Sequence, residues 1–169
     1  MESLEDITMY IKKYWGNYIG DTDDSLTLMD YLQAKQKAEI SLEEIFSDLG
    51  LDKLHGNFQE HEEPLTFSNS EGWEMEFYFA IDLIADLAAL LLECKMNECI
   101  DLSEFCDELE NDVSHICITA TPKEYELINE ALRDFIAAPL TYDISEMESE
   151  EETMGLAAVC ETLREELYQ

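Results

Sequence analysis

Apolar residues along the chain recur mostly at three- and four-residue steps, the spacing that gathers them on one face of a helix. Leu4, Ile7, Tyr10, Ile11, Tyr14 and Tyr18 follow a capping-box-like Ser3 and Asp6, and predict a first amphipathic helix. A polar break at Thr22 to Ser25 precedes a shorter one carrying Leu28, Tyr31 and Leu32, with Lys35 and Lys37 near its end, where cations suit the helix dipole. Ser41 and Glu44 form a second capping box before Leu42, Ile45, Phe46 and Leu49, and Gly50 is placed to stop that helix.

From Gly56 to Gly72 no period is sustained, and Gly, Pro and Asn mark a long connection. Trp73, Phe77, Ala80, Ile81, Ile84, Leu87, Ala88 and Leu91 then repeat at helical spacing, and Leu90 and Leu92 widen the stripe until it nearly encircles the segment. This predicts a buried central helix. At its start Trp73, Met75, Phe77 and Phe79 also alternate with Glu74 and Glu76 as a half-buried strand would; helix is the favoured reading. Leu102, Phe105, Leu109, Val113 and Ile116 make a further helical face, capped by Asp101 or Ser103, although Ile116, Ile118 and Thr119 form a β-branched run that also suits a strand.

Thr121, Pro122 and Glu124 are a strong helix start, because proline in the first turn gives up no hydrogen bond. Tyr125, Ile128, Leu132, Phe135 and Ile136 fill its inward face as far as Pro139, and Leu156, Val159, Cys160, Leu163 and Leu167 mark a last helix. About six amphipathic helices without a run of clear strands predict an all-α bundle, one domain over residues 1–169.

Composition supports a folded chain and makes its charge the outlier. The 169 residues are 46% hydrophobic and 10% aromatic, unlike a disordered polyanion, yet 41 Asp and Glu face 9 Lys and Arg for a net −32. Such charge repels phosphate backbones and anionic lipid, so neither nucleic acid nor membrane is expected as a partner. It is also uneven: residues 1–53 hold 12 acids against 5 bases, net −7, while residues 54–169 hold 29 against 4, net −25. The N-terminus lacks signal-peptide character and Asp82 and Asp86 interrupt the longest apolar run, so a cytoplasmic location is expected. Five cysteines, Cys94, Cys99, Cys106, Cys117 and Cys160, read as reduced thiols in that compartment.

The sequence carries no enzyme signature. It has no phosphate-cradling glycine motif, nucleophile elbow or H-E-x-x-H, and His55, His61 and His115 are scattered. The cysteines and His115 lack the paired spacing of a zinc site, and Asp21, Asp23 and Asp24 lack the glycine and final glutamate of an EF-hand, so no metal or cofactor is expected. Paired carboxylates are too abundant for any one pair to stand out.

Function is therefore read from the acidic surface, for which three explanations compete: solubility or adaptation to salt, mimicry of DNA against a restriction or CRISPR complex, and inhibition of one basic protein. Nuclease clefts are lined with Lys and Arg, and carboxylates at phosphate-like positions would fill them. The acidic runs that could do so are Glu60, Glu62 and Glu63; Glu104, Asp107 and Glu108; and Glu146, Glu148, Glu150, Glu151 and Glu152. Phe67, Tyr142 and Met147 lie beside such runs as candidate apolar anchors. A small, acidic, mainly helical chain without catalytic signatures resembles the immunity proteins of bacterial contact-dependent growth inhibition and related polymorphic toxin systems. That resemblance rests on overall character and transfers no site residue. It implies a non-enzymatic inhibitor in a tight one-to-one complex with a cognate toxin, often a nuclease, whose active site or substrate face it blocks.

Overall fold

A computed structural model describes residues 18–20, 22–35, 37–59, 65–68, 72, 74–101 and 115–168. The helix expected over residues 4–18 falls almost wholly outside the described residues, as do Glu60, Glu62, Glu63, Glu104, Asp107 and Glu108. The elements in order are α1 (Asp23–Lys35), β1 (Glu39–Ser41), α2 (Leu42–Leu49), a 3-10 turn (Leu51–Leu54), β2 (Leu65–Ser68), β3 (Glu74–Phe77), α3 (Ala80–Asn97), β4 (Ile100–Asp101), β5 (His115–Thr119) and α4 (Pro122–Ala137). Two 3-10 turns, Pro139–Thr141 and Asp143–Glu146, then lead to α5 (Glu150–Leu167).

The expected all-α bundle is thus wrong: the chain is a mixed α/β fold. Among the described residues, five helices accompany a three-stranded sheet of order β1-β5-β4 and a two-stranded sheet of β2 and β3. In β5 the outward His115 and Thr119 bracket buried Ile116 and Ile118, a two-residue period that wins over the helical reading of this segment. Residues 74–77 behave likewise, with Glu74 and Glu76 exposed, Met75 half-buried and Phe77 buried, so α3 begins at Ala80 rather than Trp73. Leu65 pairs with Phe77 across the β2–β3 ladder, both facing the core. The short period of alternation was visible in the sequence; what it lacked was the partner strand.

β1 runs parallel to β5, pairing Ile40 with Ile118, while β4 runs antiparallel to it and pairs Ile100 with Ile116. That second register sets Cys99 opposite Cys117, and the two form a disulfide. The expectation of reduced thiols throughout therefore fails for this pair, whereas Cys94 and Cys160 are free. The reason is cross-strand placement, which sequence spacing alone does not show.

Local signals elsewhere hold. Ser41 Oγ accepts from the Glu44 amide and Gly50 ends α2 in the left-handed region, at φ 79°. Thr121 and Glu124 form a reciprocal capping box over α4. Ser149 caps α5 through the Glu152 amide, and Glu150, Glu151 and Glu152 sit in the first turn, where negative charge suits the dipole.

α3 is the centre. Every residue from Ala80 to Glu93 is buried, and α1, α4 and α5 all pack on it. Leu83, Leu87, Leu90 and Leu91 expose essentially nothing, and each such side chain contributes about 1.5–3 kcal/mol by leaving water. The same burial makes Asp82 and Asp86, one turn apart on this helix, expensive residues whose surroundings need explanation.

Candidate functional site

Thr22 Oγ1 accepts from the Ser25 amide at 3.1 Å and so caps the start of α1. The first turn of that helix is thereby aimed at α3. Thr22 Oγ1 lies 2.6 Å from Asp82 Oδ2, Ser25 Oγ lies 2.8 Å from Asp86 Oδ2, and the Gly20 amide donates to Asp86 Oδ1 at 3.2 Å. Asp24, also buried, turns its carboxylate to the chain just before α3, accepting from the Tyr78 amide at 3.0 Å and the Phe79 amide at 2.9 Å. Phe79 has no side-chain cap of its own, so Asp24 supplies from a distant segment what a local Ser or Thr would otherwise give.

The two buried carboxyls are linked through a pair of hydroxyls. Thr22 and Ser25 each have one hydroxyl hydrogen, and their oxygens are 3.0 Å apart. Thr22 donates to Asp82 and Ser25 donates to Asp86, so each buried carboxyl has one hydroxyl partner. Burial, then repulsion from Asp82, holds the Asp86 carboxyl well above the usual carboxylate range. Burial also raises Asp82, against the Thr22 hydrogen bond and with repulsion from Asp24 and Glu148, up to about 7. Both carboxyls thus hold their protons more tightly than exposed carboxylates do, chiefly because they are buried.

Asp82 opens toward a pocket of about 710 Å³. Thr22 and Asp24 from the α1 start, Tyr78 and Phe79 from the chain before α3, and Asp143, Glu146, Met147 and Glu148 between α4 and α5 surround it. Its described lining includes five carboxylates beyond Asp82 and no Lys or Arg. Asp82 Oδ1 is buried and has no hydrogen-bond partner among the described residues. Glu148 is raised by partial burial and by repulsion from Glu152, so the mouth as well as the floor of the pocket is short of positive charge. Several of the described cations are engaged elsewhere: Lys35 lies 2.8 Å from both Glu44 and Asp48, Lys95 donates to the Leu167 carbonyl, and Arg164 donates to Asn129.

The structure brings two of the predicted acidic residues, Glu146 and Glu148, to this pocket, and sets Glu150, Glu151 and Glu152 on the exposed first turn of the adjoining α5. Of the candidate anchors, Met147 is 75% exposed at the pocket rim. Tyr142 is buried against Phe135, and Phe67 is half-buried edge-on to Tyr31, so both belong to local packing. Sequence reasoning missed Asp24, Asp82, Asp143 and Tyr78. The available signal was the pair of acids inside the apolar run from Phe77 to Leu92, since charge at core positions needs a partner or a use.

Among the described residues no group of His, Cys, Asp and Glu is arranged to hold a metal ion, and no helix is long and apolar enough to cross a membrane. No curated protein and no solved structure matches the chain. The family model described as Immunity protein 68, however, matches residues 10–167, nearly the whole sequence and all the segments that build the acidic pocket, and the chain belongs to that family.

Proposed function

We propose that the protein neutralises a cognate toxin by direct one-to-one binding in the cytoplasm, with no catalysis of its own, and that the toxin is a nuclease of a contact-dependent growth inhibition or related system. Membership of an immunity-protein family supports the toxin as partner. The observation that carries the nuclease reading is a concave site lined, among the described residues, by six carboxylates and no basic residue, and continued by the acidic first turn of α5. A nuclease must present Lys and Arg to hold phosphates, and this surface offers carboxylates to the same groups. Complementary potentials speed encounter, Arg–carboxylate forks give direction once docked, and the occupied cleft then excludes its substrate.

The test is co-expression with the toxin domain encoded by the neighbouring reading frame. The expected result is a one-to-one complex by light scattering, loss of nuclease activity in step with complex formation, and affinity that falls steeply with added salt. A toxin that binds with no salt dependence, or that cleaves no nucleic acid when free, would overturn the nuclease reading.

A further inference from the structure

The acidic pocket is more specific than a negatively charged patch. Its floor holds Asp82, 1% exposed, whose Oδ2 is taken by Thr22 and whose Oδ1 has no partner among the described residues. A buried carboxylate oxygen left without a donor costs free energy, and that cost is recovered if a donor arrives with the ligand. Of the two buried carboxyls, Asp82 is the one that lines the pocket.

The chemistry of the donor follows from the rest of the lining. A hard divalent cation needs several oxygens converging on one point, and no such group exists among the described residues. The acceptors are spread instead along the pocket, from Asp82 on α3 to Glu146 and Glu148 ahead of α5. Spread acceptors suit a planar group with several N–H donors better than a compact ammonium. Beside them Tyr78 is 51% exposed and Phe79 lines the same wall, so aromatic surface is available to a guanidinium plane. Asp24, already committed to the Tyr78 and Phe79 amides, holds these two residues where the wall requires them.

We propose that the pocket receives one arginine side chain of the toxin, with its guanidinium donating to Asp82 Oδ1 and Glu148 and its flat face against Tyr78. The assignment of the toxin as the source rests on the function proposed above. The half-buried Glu148 and the exposed Met147 line the same pocket as Asp82.

The pocket is tested without the toxin by titrating N-acetyl-arginine methylamide into the full-length, isotope-labelled protein at constant ionic strength. Saturable shift changes should centre on the Tyr78, Phe79 and Met147 amides, with affinity weakened about fivefold or more in Asp82→Asn and in Glu148→Gln. The lysine analogue should bind more weakly. Shifts spread evenly over the acidic surface, indifference to both variants, or equal binding of the lysine analogue would overturn the guanidinium site. Glu148→Gln lies outside the Thr22–Ser25 relay, so it remains informative if Asp82→Asn perturbs the fold. With the toxin itself, binding that survives both variants but weakens when Glu150, Glu151 and Glu152 are neutralised would remove the arginine and leave the toxin-binding reading intact. Failure of the toxin to bind the unaltered protein would overturn that reading and the arginine's source together, while the analogue titration still reports on the pocket.

Discussion

Asp82 and Asp86, one turn apart on the buried face of α3, are joined through two hydroxyls of the α1 start: Thr22 Oγ1 at 2.6 Å from one, Ser25 Oγ at 2.8 Å from the other, and 3.0 Å between the hydroxyls. The linkage crosses from α1 to α3. It ties the packing of α1 on α3 to the charge presented at the pocket.

Stability should therefore depend on pH in a window where ordinary carboxylates no longer titrate. Asp82 is raised by burial to about 7 and Asp86 is raised further from its usual value, so the folded protein binds more protons than the unfolded chain across the weakly acidic range. Their contribution is greatest below the unfolded carboxylate range and is lost as pH rises through the folded value near 7. The charged groups facing them are Asp24 on α1 and Glu148 before α5; the Cys160 thiol of α5, itself raised by burial, stays neutral in this window. The melting temperature should fall between about pH 5 and 8 at fixed ionic strength, and fall less in Asp82→Asn and Asp86→Asn. Calorimetry giving the same slope in all three proteins would show that neither carboxyl is raised.

Thr22 is the joint between capping and charge. It accepts from the Ser25 amide to start α1 and donates to Asp82, so Thr22→Val keeps the shape while removing both interactions. The variant should lose about 1–3 kcal/mol in chemical denaturation. Because the lost hydrogen bond favoured the ionised form, the Asp82 carboxyl carbon should also titrate at higher pH by NMR, a shift that a purely helix-capping role would not produce.

The exposed acids of α5 should act on encounter more than on the docked complex. Glu150 and Glu151 are exposed and Glu152 shares the Ser149 cap, so replacing all three by Gln removes long-range charge with a loss of only about 0.3–1 kcal/mol at the helix dipole. Stopped-flow association with the toxin should slow by roughly tenfold and lose part of its salt dependence, while dissociation changes little. An unchanged association rate would place the docking surface elsewhere.

Legibility in the sequence followed the range of the forces involved. Ser41 with Glu44, Thr121 with Glu124, and Gly50 act within a few residues, and all three helix ends they predict are present. β5 depends on β1 and β4, its partners across the sheet, and its Ile116–Ile118 alternation fits the tail of a helical stripe until those partners are known. The pocket is more distant still, since Asp24 reaches Tyr78 over 54 positions and Thr22 reaches Asp82 over 60. Charge counting found Glu146 and Glu148 because exposed acids cluster in the sequence. It passed over Asp82 because isolated acids in an apolar run, such as Asp82 and Asp86, register there only as interruptions.

Met147 provides the sharpest separation of binding from folding. It is 75% exposed and lines the pocket that the exposed Tyr78 also lines, and an unbranched thioether held out in water contributes little to the free protein. Met147→Ala and Tyr78→Ala should leave the melting temperature nearly unchanged. Each should weaken the toxin complex by at least about 1 kcal/mol, some fivefold in Kd, because apolar residues ringed by charge are where desolvation on docking yields most. Tyr142→Ala should do the reverse. Its ring is buried edge-on against Phe135, 5.0 Å between centroids, so its loss opens a cavity costing about 3 kcal/mol or more, with binding retained by the molecules that remain folded. Isothermal titration and thermal denaturation of the three variants resolve these opposite patterns. Loss of stability without loss of affinity at Met147 would remove the rim from the binding surface and leave the carboxylates alone to account for recognition.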